Sequence, residues 1–281
     1  MVILDVPLEF SGKTATIMYG SCWHLGNPSV HLGGVRKFME EAKVKPWWHV
    51  GDMVESILPG DKRFSVAEHK DATLPTVKKA SNYIKSAKEK CLGLIIGNHE
   101  WKLTAMLGDV SEDIANRADV KYLGGVVVFR FVCPDGECLV FSAHGRGSMG
   151  FNSGFPERDA LNREIKLRRI LDRFPGDVKC VGHYHRTIVA PPIDVARGTI
   201  VGERMKRRAT PHKAEWCIAA PSMFLNYDIG TSVSYAEIAL MPPTDLGWME
   251  IVIERDGLPV AVREKNENGT TVNERRRECV G

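Results

Sequence analysis

The stretch that most constrains the fold is the motif Gly97-Asn98-His99-Glu100, which follows an apolar run at residues 92–96. Such a run, ended abruptly by a glycine, predicts a short buried strand. The amide of Asn98 and the imidazole of His99 then fall on the loop that leaves this strand. Open α/β sheets place ligands at the carboxyl ends of their strands. One loop of this kind is weak evidence by itself, but the chain repeats the arrangement.

The first part of the chain alternates predicted strands with predicted helices. Apolar runs at residues 15–19, 46–50 and 92–96 predict strands, each followed by a polar loop. Amphipathic patterns at residues 34–43 and 76–90 predict the helices between them. Strands that alternate with helices in this way indicate an α/β fold.

The second part of the chain has a different sequence pattern, which predicts a β-hairpin and several isolated strands. The pattern predicts hairpin strands at 126–132 and 138–142, a glycine-rich loop at 146–156, a basic helix at 157–173, and strands at 178–181, 214–219, 234–240 and 248–254. No internal repeat or low-complexity linker interrupts the chain. We therefore expect a single domain over residues 1–281, with its core at about 15–255 and a polar, frayed tail at 264–281.

The composition is that of a soluble globular protein. Hydrophobic residues make up 43% of the 281 residues, and the net charge of +3 gives no strong field toward a nucleic acid or a membrane. No stretch approaches the roughly 18 apolar residues that cross a bilayer. The first residues lack the basic region and the cleavage site of a signal peptide. We expect a cytoplasmic protein without a membrane partner.

The seven cysteines form no recognisable disulfide framework. Cys133 and Cys138 flank a predicted turn, and a bond across the hairpin is one possibility. Free thiols are the expected state in a reducing cytoplasm.

Side chains that bind metals cluster just after the predicted strands. These loops supply Cys22, His24, Asp52, Asn98, His99, His144, His183 and His185. The other histidines, His31, His49, His69 and His212, are scattered, and we expect them to be ordinary. Singly, Asp52 is a good helix cap, Asn98 a good turn residue, and His144 a plausible core residue. The recurrence of such groups at successive strand ends favours a metal site instead.

Four short motifs, taken together, resemble the calcineurin-like metallophosphoesterases. They are Gly51-Asp52-x-x-Glu55, Gly97-Asn98-His99-Glu100, His144-Gly145 and Gly182-His183-x-His185. The resemblance covers roughly residues 15–255 and is greatest for the short stand-alone enzymes of bacteria and phages. It implies an α/β fold in the form of a four-layer α/β/β/α sandwich, in which helices flank two mixed β-sheets. It also implies a two-metal site between the ends of the sheets.

The resemblance further implies a role for each site residue. Asp52 would bridge two divalent ions, with His24 and His185 on the first ion and Asn98, His144 and His183 on the second. His99 would stand over the phosphate and assist the leaving oxygen. Glu55 and Glu100 would orient the imidazoles. Nitrogen and oxygen ligands of this kind suit Mn, Fe, Zn or Ni better than Ca or Mg.

Cys22 is the departure from the family pattern, which has aspartate at this position as a ligand of the first metal. No aspartate lies between Asp5 and Asp52 to replace it. One hypothesis is that Cys22 binds as a thiolate and biases the first site toward Zn or Fe. The alternative is a weak or empty first site with an inert thiol.

The sequence therefore predicts a metal-dependent phosphoesterase in which a metal-activated hydroxide attacks a phosphodiester. The basic run Lys206, Arg207 and Arg208 suggests a nucleotide or nucleic-acid substrate, and Arg146 lies in a glycine-rich loop that would also suit phosphate. The alternatives are a DNA nuclease of the same fold, a phosphomonoesterase or protein phosphatase, and a binding module that retains one metal.

Overall fold

The structure is a computed structural model that describes residues 1–57, 60, 74–150, 153–192, 195–201, 204–210, 215–227 and 242–277. For residues 195–201 and 204–210 it describes the backbone alone. The strands are β1 (Val2–Pro7), β2 (Thr14–Gly20), β3 (Trp47–His49), β4 (Cys91–Leu94), β5 (Val126–Cys133), β6 (Gly136–Ala143), β7 (Val178–Val181), β8 (Ile188–Ala190), β9 (Val195–Val201), β10 (Arg204–Thr210), β11 (Trp216–Ala219), β12 (Gly247–Glu254), β13 (Pro259–Asn266) and β14 (Thr271–Arg276). The helices are α1 (Leu32–Ala42), α2 (Leu74–Lys85), α3 (Asn98–Leu107), α4 (Val110–Ala118) and α5 (Pro156–Leu171), with a short 3-10 turn at Lys88–Lys90.

Two mixed sheets of six strands form the centre of the fold. Sheet I has the order β14-β13-β12-β2-β3-β4, and sheet II has the order β1-β5-β6-β7-β11-β8. In sheet I, β2, β3 and β4 run parallel, and in sheet II, β6, β7 and β11 do. The carboxyl ends of each parallel set therefore meet at one edge of its sheet. Strands β9 and β10 form a separate antiparallel pair.

The sheets pack face to face, and helices cover their outer faces. Side chains at alternate positions of a strand point to opposite faces. Ile17 and Trp48 accordingly join the core between the sheets, whereas Met18 and Trp47 join the core under α1, α2 and α4. A third cluster, which includes Leu167, lies between sheet II and α5. The predicted four-layer α/β/β/α sandwich is confirmed.

Most predicted elements are present within a few residues of the expected bounds. The strand predicted at 234–240 lies outside the described residues. In the described part of the chain, no helix combines the length and apolar character of a bilayer-spanning segment. The hairpin register places Cys138 opposite Phe131 and Cys133 opposite Gly136, so these two thiols do not pair. All cysteines of the described residues are free, as expected.

The prediction of a frayed polar tail is wrong for residues 264–276. Strand β13 continues to Asn266, and β14 pairs with it at the edge of sheet I. Most side chains of β14 are exposed, so the strand needs no apolar pattern, and main-chain bonding with an ion pair of 2.9 Å between Arg263 and Glu274 holds it. At the other end of the chain, β1 adds a parallel edge strand to sheet II, outside the expected core.

Candidate metal centre

The structure brings all the predicted metal-binding side chains together at the strand ends. Cys22 and His24 follow β2, Asp52 and Glu55 follow β3, Asn98 and His99 open α3 after β4, His144 follows β6, and His183 and His185 follow β7. Several of them are almost fully buried: Cys22 is 0% exposed and Asp52 is 2% exposed. Buried polar side chains of this density require partners, which the geometry below identifies.

The loops after β2 and β3 are joined by main-chain hydrogen bonds that prolong the parallel pairing of the strands. The Cys22 amide donates to the Gly51 carbonyl over 3.0 Å, and the His24 amide donates to the Asp52 carbonyl over 3.0 Å. The side chains of both loops are thereby fixed relative to each other before any metal binds.

Left-handed backbone marks the site. Of the six non-glycine residues with positive φ in the described residues, five are predicted metal ligands. They are Cys22, His24, Asp52, His183 and His185, with φ between 51° and 70°. Such conformations cost on the order of 1–3 kcal/mol each and cluster at functional sites. Their concentration in these loops indicates that the orientation of these side chains is maintained at a cost in folding stability.

Two glycines allow the loops to approach closely. A Cβ on Gly97 would lie 2.2 Å from both the amide nitrogen and Oδ1 of Asp52. Gly51, with φ of +92°, is equally confined, since a Cβ there would lie 2.4 Å from the Gly97 nitrogen. Only glycine satisfies both positions, which explains why each motif begins with this residue.

We call Asn98, His144 and His183 the second donor group. His144 Nε2 lies 3.0 Å from Asn98 Oδ1, 3.3 Å from His183 Nδ1 and, in addition, 3.1 Å from Asp52 Oδ2. The opposite ring nitrogens bind backbone carbonyls: His144 Nδ1 lies 2.6 Å from the Val50 oxygen, and His183 Nε2 lies 3.0 Å from the Gly147 oxygen. A carbonyl only accepts, so these nitrogens carry the ring protons.

The second donor group fits a divalent cation. With the ring protons assigned to the carbonyls, His144 Nε2 and His183 Nδ1 present lone pairs to each other and to the oxygens of Asp52 and Asn98. When His144 is neutral, the acceptors around its Nε2 repel one another. A proton removes that repulsion in the metal-free site, because Asp52 raises the pKa of His144, and a divalent cation in place of the proton would remove it as well. The carbonyl partners also fix ring orientation in the way that metal-ligating histidines require.

We call Cys22, His24 and His185 the first donor group. Their ligand atoms lie within 4.8 Å of one another, and so do those of Cys22, Asp52 and His144. His24 Nε2 and His185 Nε2 are 3.0 Å apart, and the buried His24 Nδ1 has no hydrogen-bond partner. Cys22 therefore belongs geometrically with both groups, and a thiolate with two imidazoles is a donor set that suits Zn or Fe.

Electrostatics inside the site prepare the histidines as ligands. Burial, with the neighbouring His24, places the pKa of His185 well below its ordinary value, and burial with His144 lowers the pKa of His183. Both rings are therefore neutral at pH 7, the form that binds metal. Burial opposes the charge of Asp52, yet His144 lowers the pKa of that carboxyl well below its ordinary value.

The Cys22 sulfur is prepared for a cation but is not a thiolate without one. Burial, reinforced by Asp52, raises the pKa of the Cys22 thiol well above its ordinary value. The His183 amide nevertheless donates to the sulfur over 3.2 Å, and the Ser21 hydroxyl lies 2.9 Å from it. The sulfur would thus lose its proton only beside a positive charge.

Glu55 lies between the rings of His99 and His24. Its Oε1 lies 2.7 Å from His99 Nδ1, and its Oε2 lies 3.6 Å from His24 Nδ1. Burial opposes its charge, but the neighbouring rings of His24 and His99 place the pKa of Glu55 well below its ordinary value. One carboxylate therefore connects a metal-ligating ring with the ring expected over the phosphate.

Glu100 does not orient an imidazole, and that part of the prediction is wrong. Its carboxylate accepts from the backbone amides of Asp52, Met53, Val54 and Gly97, over 2.5 to 3.0 Å. It caps α3 and fixes the loop that carries Asp52. The Gly-x-x-Glu spacing at a helix start was the available signal, because a Glu at this position often closes a capping box.

Sequence reasoning also missed Phe224, which lies in no recognisable motif. Its ring centroid lies 5.1 Å from that of His24 and 5.8 Å from that of His185, so it forms one wall of the first donor group. Nothing in the surrounding sequence signals this contact.

The predicted phosphate-contacting residues have different outcomes. Arg146 is exposed, two residues after His144, and borders a cleft that Asn98 and His144 also line. Lys206, Arg207 and Arg208 lie in β10, which pairs with β9, but their side chains lie outside the described residues. His69 and His212 lie outside the described residues. His31 caps α1 through its Nδ1, and His49 is buried.

No protein-family model matches the chain, and neither does any curated protein. Similar solved structures include the phosphoesterase Yfce from E. coli, with 12% identity and a TM-score of 0.43 over 94% of this chain and 100% of the other. GAP50, the anchor in the inner membrane complex of Plasmodium, is similar over 94% of this chain and 89% of its own, with 10% identity and a TM-score of 0.44. A metallophosphoesterase from Sphaerobacter thermophilus is similar over 86% and 84%, with 13% identity and a TM-score of 0.36. At such identities and TM-scores the likeness assigns no activity, so the functional assignment rests on the site's own residues.

Proposed function

We propose that this chain is a calcineurin-like metallophosphoesterase that hydrolyses phosphodiesters at a two-metal site. The observation that carries the proposal is the convergence of Asp52, Asn98 and His183 on the Nε2 atom of His144. A purely structural cluster would pair donors with acceptors. With His144 neutral, this cluster instead surrounds one ring nitrogen with acceptors, an arrangement that a metal ion would satisfy.

Two ions would be held by the two donor groups, with Asp52 between them. The first ion would take Cys22, His24 and His185, and the second would take Asn98, His144 and His183. When bound, the ions would neutralise the phosphate charge and lower the pKa of a water molecule, as hydrolysis of a phosphodiester requires. The mixed donor sets favour Mn, Fe, Zn or Ni, and the sulfur of Cys22 favours Zn or Fe in the first position.

His99 is the residue that we assign to the substrate. Its backbone amide donates to Asp52 Oδ1 over 2.9 Å, and its Nδ1 lies 2.7 Å from Glu55. With Nδ1 turned to Glu55, Nε2 is the nitrogen that can donate a proton to the leaving oxygen. Positioned general acids of this type contribute about 10²–10⁴-fold to turnover.

A diester is the preferred substrate because a second ester group has space beside the metals. The cleft bordered by Asn98, His144 and Arg146 has a volume of about 360 Å³. Arg146 supplies a positive charge at this border, where it can pair with the phosphate group. Nucleotides and nucleic acids are diesters of this class, and a nuclease of the same fold remains within the proposal.

The decisive experiment compares bis(nitrophenyl) phosphate with nitrophenyl phosphate as substrates, with Mn, Zn, Ni and Fe added separately to metal-free protein. We expect metal-dependent diester turnover that exceeds monoester turnover and falls by about 10²–10⁴-fold in His99→Ala. His31→Asn is the matched control, since it replaces a histidine outside the site with another good helix cap. Faster monoester turnover would favour a phosphatase instead.

A binding module that retains one metal is the second candidate, because a thiol replaces a family carboxylate at Cys22. Cobalt substitution distinguishes the two-metal phosphoesterase from the one-metal binding module. A thiolate-to-cobalt charge-transfer band that disappears in Cys22→Ser would show that sulfur binds the first ion. Absence of the band together with absence of turnover, in folded protein, would favour the module. In Cys22→Asp, which has the family ligand, we expect the metal preference to move toward Mn.

The basic run in β10 is tested by salt dependence. If Lys206, Arg207 and Arg208 contact the phosphates of a polyanion, their joint replacement by alanine weakens oligonucleotide binding and reduces its salt slope. An unchanged slope would exclude that contact and leave small diesters as the substrate class.

A further inference from the structure

An apolar cleft opens directly beside the second donor group. It has a volume of about 360 Å³, and two of its lining residues, Asn98 and His144, are metal-donor candidates. The rest of the lining is mostly apolar and includes Trp101 and Phe174. A cleft that is continuous with the reacting centre receives whatever group the phosphate carries.

Trp101 is the unusual residue of this cleft. It is 67% exposed, whereas Trp23, Trp47, Trp48, Trp216 and Trp248 are each 0% exposed. It lies on the first turn of α3, three residues after Asn98. A large aromatic side chain left in water beside a donor group suggests a surface that a ligand covers.

The deeper wall is also aromatic. Phe174 stacks on Phe141 with a centroid distance of 4.5 Å and an interplanar angle of 17°. Arg146 also lines the cleft and forms no ion pair among the residues that the structure describes. An indole, stacked phenyl rings and a guanidinium all interact favourably with the face of a planar aromatic ring. None of them gains the same contact from a flexible alkyl chain.

We propose that this cleft binds a planar aromatic group, a nucleobase or an aryl ring, carried by the phosphate ester. The proposal rests on the proposed function, because the phosphate that carries the ring would be held at the metals. Trp101 and Phe174 contact the ring, and Arg146 lies where ring and phosphate meet. The substrate class is thereby narrowed from phosphodiesters in general to aromatic ones.

Gly125 provides a way to fill the cleft without disturbing the fold. It lines the cleft, and a Cβ built there has no heavy atom within 4 Å. Its φ lies outside the left-handed region, so a larger side chain is not strained. Gly125→Leu therefore places an isobutyl group in the space that the ring would occupy. Gly12→Leu is the matched control, because a Cβ at Gly12 also meets nothing within 4 Å and lies outside the cleft.

The experiment measures binding of phosphonates to the metal-loaded protein by calorimetry and by acrylamide quenching of tryptophan fluorescence. Methylphosphonate, cyclohexylphosphonate and phenylphosphonate share one head group and differ in the group that would enter the cleft. Because Trp101 is the exposed tryptophan, quenching reports on that side chain. A nucleoside monophosphate tests the nucleobase as the natural form of the ring.

We expect phenylphosphonate to bind at least about 10-fold more tightly than methylphosphonate and more tightly than cyclohexylphosphonate, and to protect Trp101 from acrylamide. Trp101→Ala and Gly125→Leu should each reduce this preference severalfold and leave methylphosphonate affinity unchanged, while Gly12→Leu changes neither. Equal affinities of the phenyl and methyl compounds in the unmodified protein would overturn the proposal. So would a preference that survives Gly125→Leu.

Failure of the proposed function gives a different result. If methylphosphonate does not bind the metal-loaded protein, the phosphate site is refuted independently of the cleft. An uncharged nucleoside then tests the cleft alone: protection of Trp101 supports the aromatic site, and absence of protection overturns it.

Discussion

The two donor groups occupy the same edge of the fold but are held in different ways. In the second group, His144 and His183 each bind a backbone carbonyl, at 2.6 and 3.0 Å. In the first group, His24 Nδ1 has no hydrogen bond and lies 3.6 Å from Glu55. The second group is thus oriented by the main chain, and the first depends on side chains.

The comparison shows how a metal site can tolerate a change of ligand at one position. Carbonyl partners belong to the fold and are independent of the side chains that substitutions alter, so the second group is preorganised. The first group contains the sulfur of Cys22, which needs a cation to lose its proton. We therefore expect the second ion to bind more tightly than the first.

The largest expected effect comes from removing a ligand of the preorganised group. His144→Ala leaves Asp52 and Asn98 without their shared neighbour, and we expect diester turnover to fall by more than about 10³-fold, the upper range for one electrostatic contact. Cys22→Ser should lower the affinity for the first ion by only about 10–100-fold. Steady-state kinetics and metal titration of both variants measure this difference. If the two variants lost turnover and metal affinity to the same extent, the two donor groups would not differ in the way proposed.

The next effect concerns the loop that serves both groups. A Cβ at Gly97 would lie 2.2 Å from Asp52 Oδ1, so Gly97→Ala displaces the shared carboxylate. Displacements of about 1 Å cost roughly 10²-fold in turnover, and we expect both ions to bind more weakly. Gly12→Ala is the control. Loss of only one ion in the Gly97 variant would mean that Asp52 is not shared.

A smaller effect should be confined to the first group. Glu55→Gln removes the charge beside His24 and His99, and we expect turnover to fall by about 10–100-fold. Titration of the second ion should not change, because its ligands do not contact Glu55. Glu9→Gln, at an exposed position, is the control. A weaker second ion in the Glu55 variant would show that the groups are coupled through this carboxylate.

The smallest expected effect concerns His49, which supports the loops that follow β2 and β3. Burial, with His144, lowers the pKa of His49 to about 3 from an ordinary value of 6.5. Between these values the unfolded chain binds a proton that the folded chain does not. His49 therefore favours the fold above pH 6.5, and this contribution falls by up to about 1.4 kcal/mol per unit as the pH drops toward 3.

Urea unfolding of metal-free protein between pH 7 and pH 4 measures this slope. His49→Gln keeps an acceptor for the Gly51 amide and removes the titration, so its stability should fall less steeply with acid. Parallel curves for the two proteins would contradict the assigned role of His49.

The sequence allowed prediction of the residues that converge at the strand ends but not of those that support them. Asp52, Asn98 and His144 were predictable because apolar strands ending in such groups have a recognised geometry. The main-chain role of Glu100 and the contact of Phe224 depend on loops that meet only in three dimensions. Strand β14 was missed because an exposed edge strand carries no apolar alternation.

The most direct test of the account is the number of metal ions bound per folded chain. Equilibrium dialysis of metal-free protein against Zn or Mn, followed by elemental analysis, gives this number. We expect two ions, with the affinity for the first weakened selectively in Cys22→Ser and the second ion lost in His144→Ala. Folded wild-type protein that binds no ion at saturating metal would contradict it.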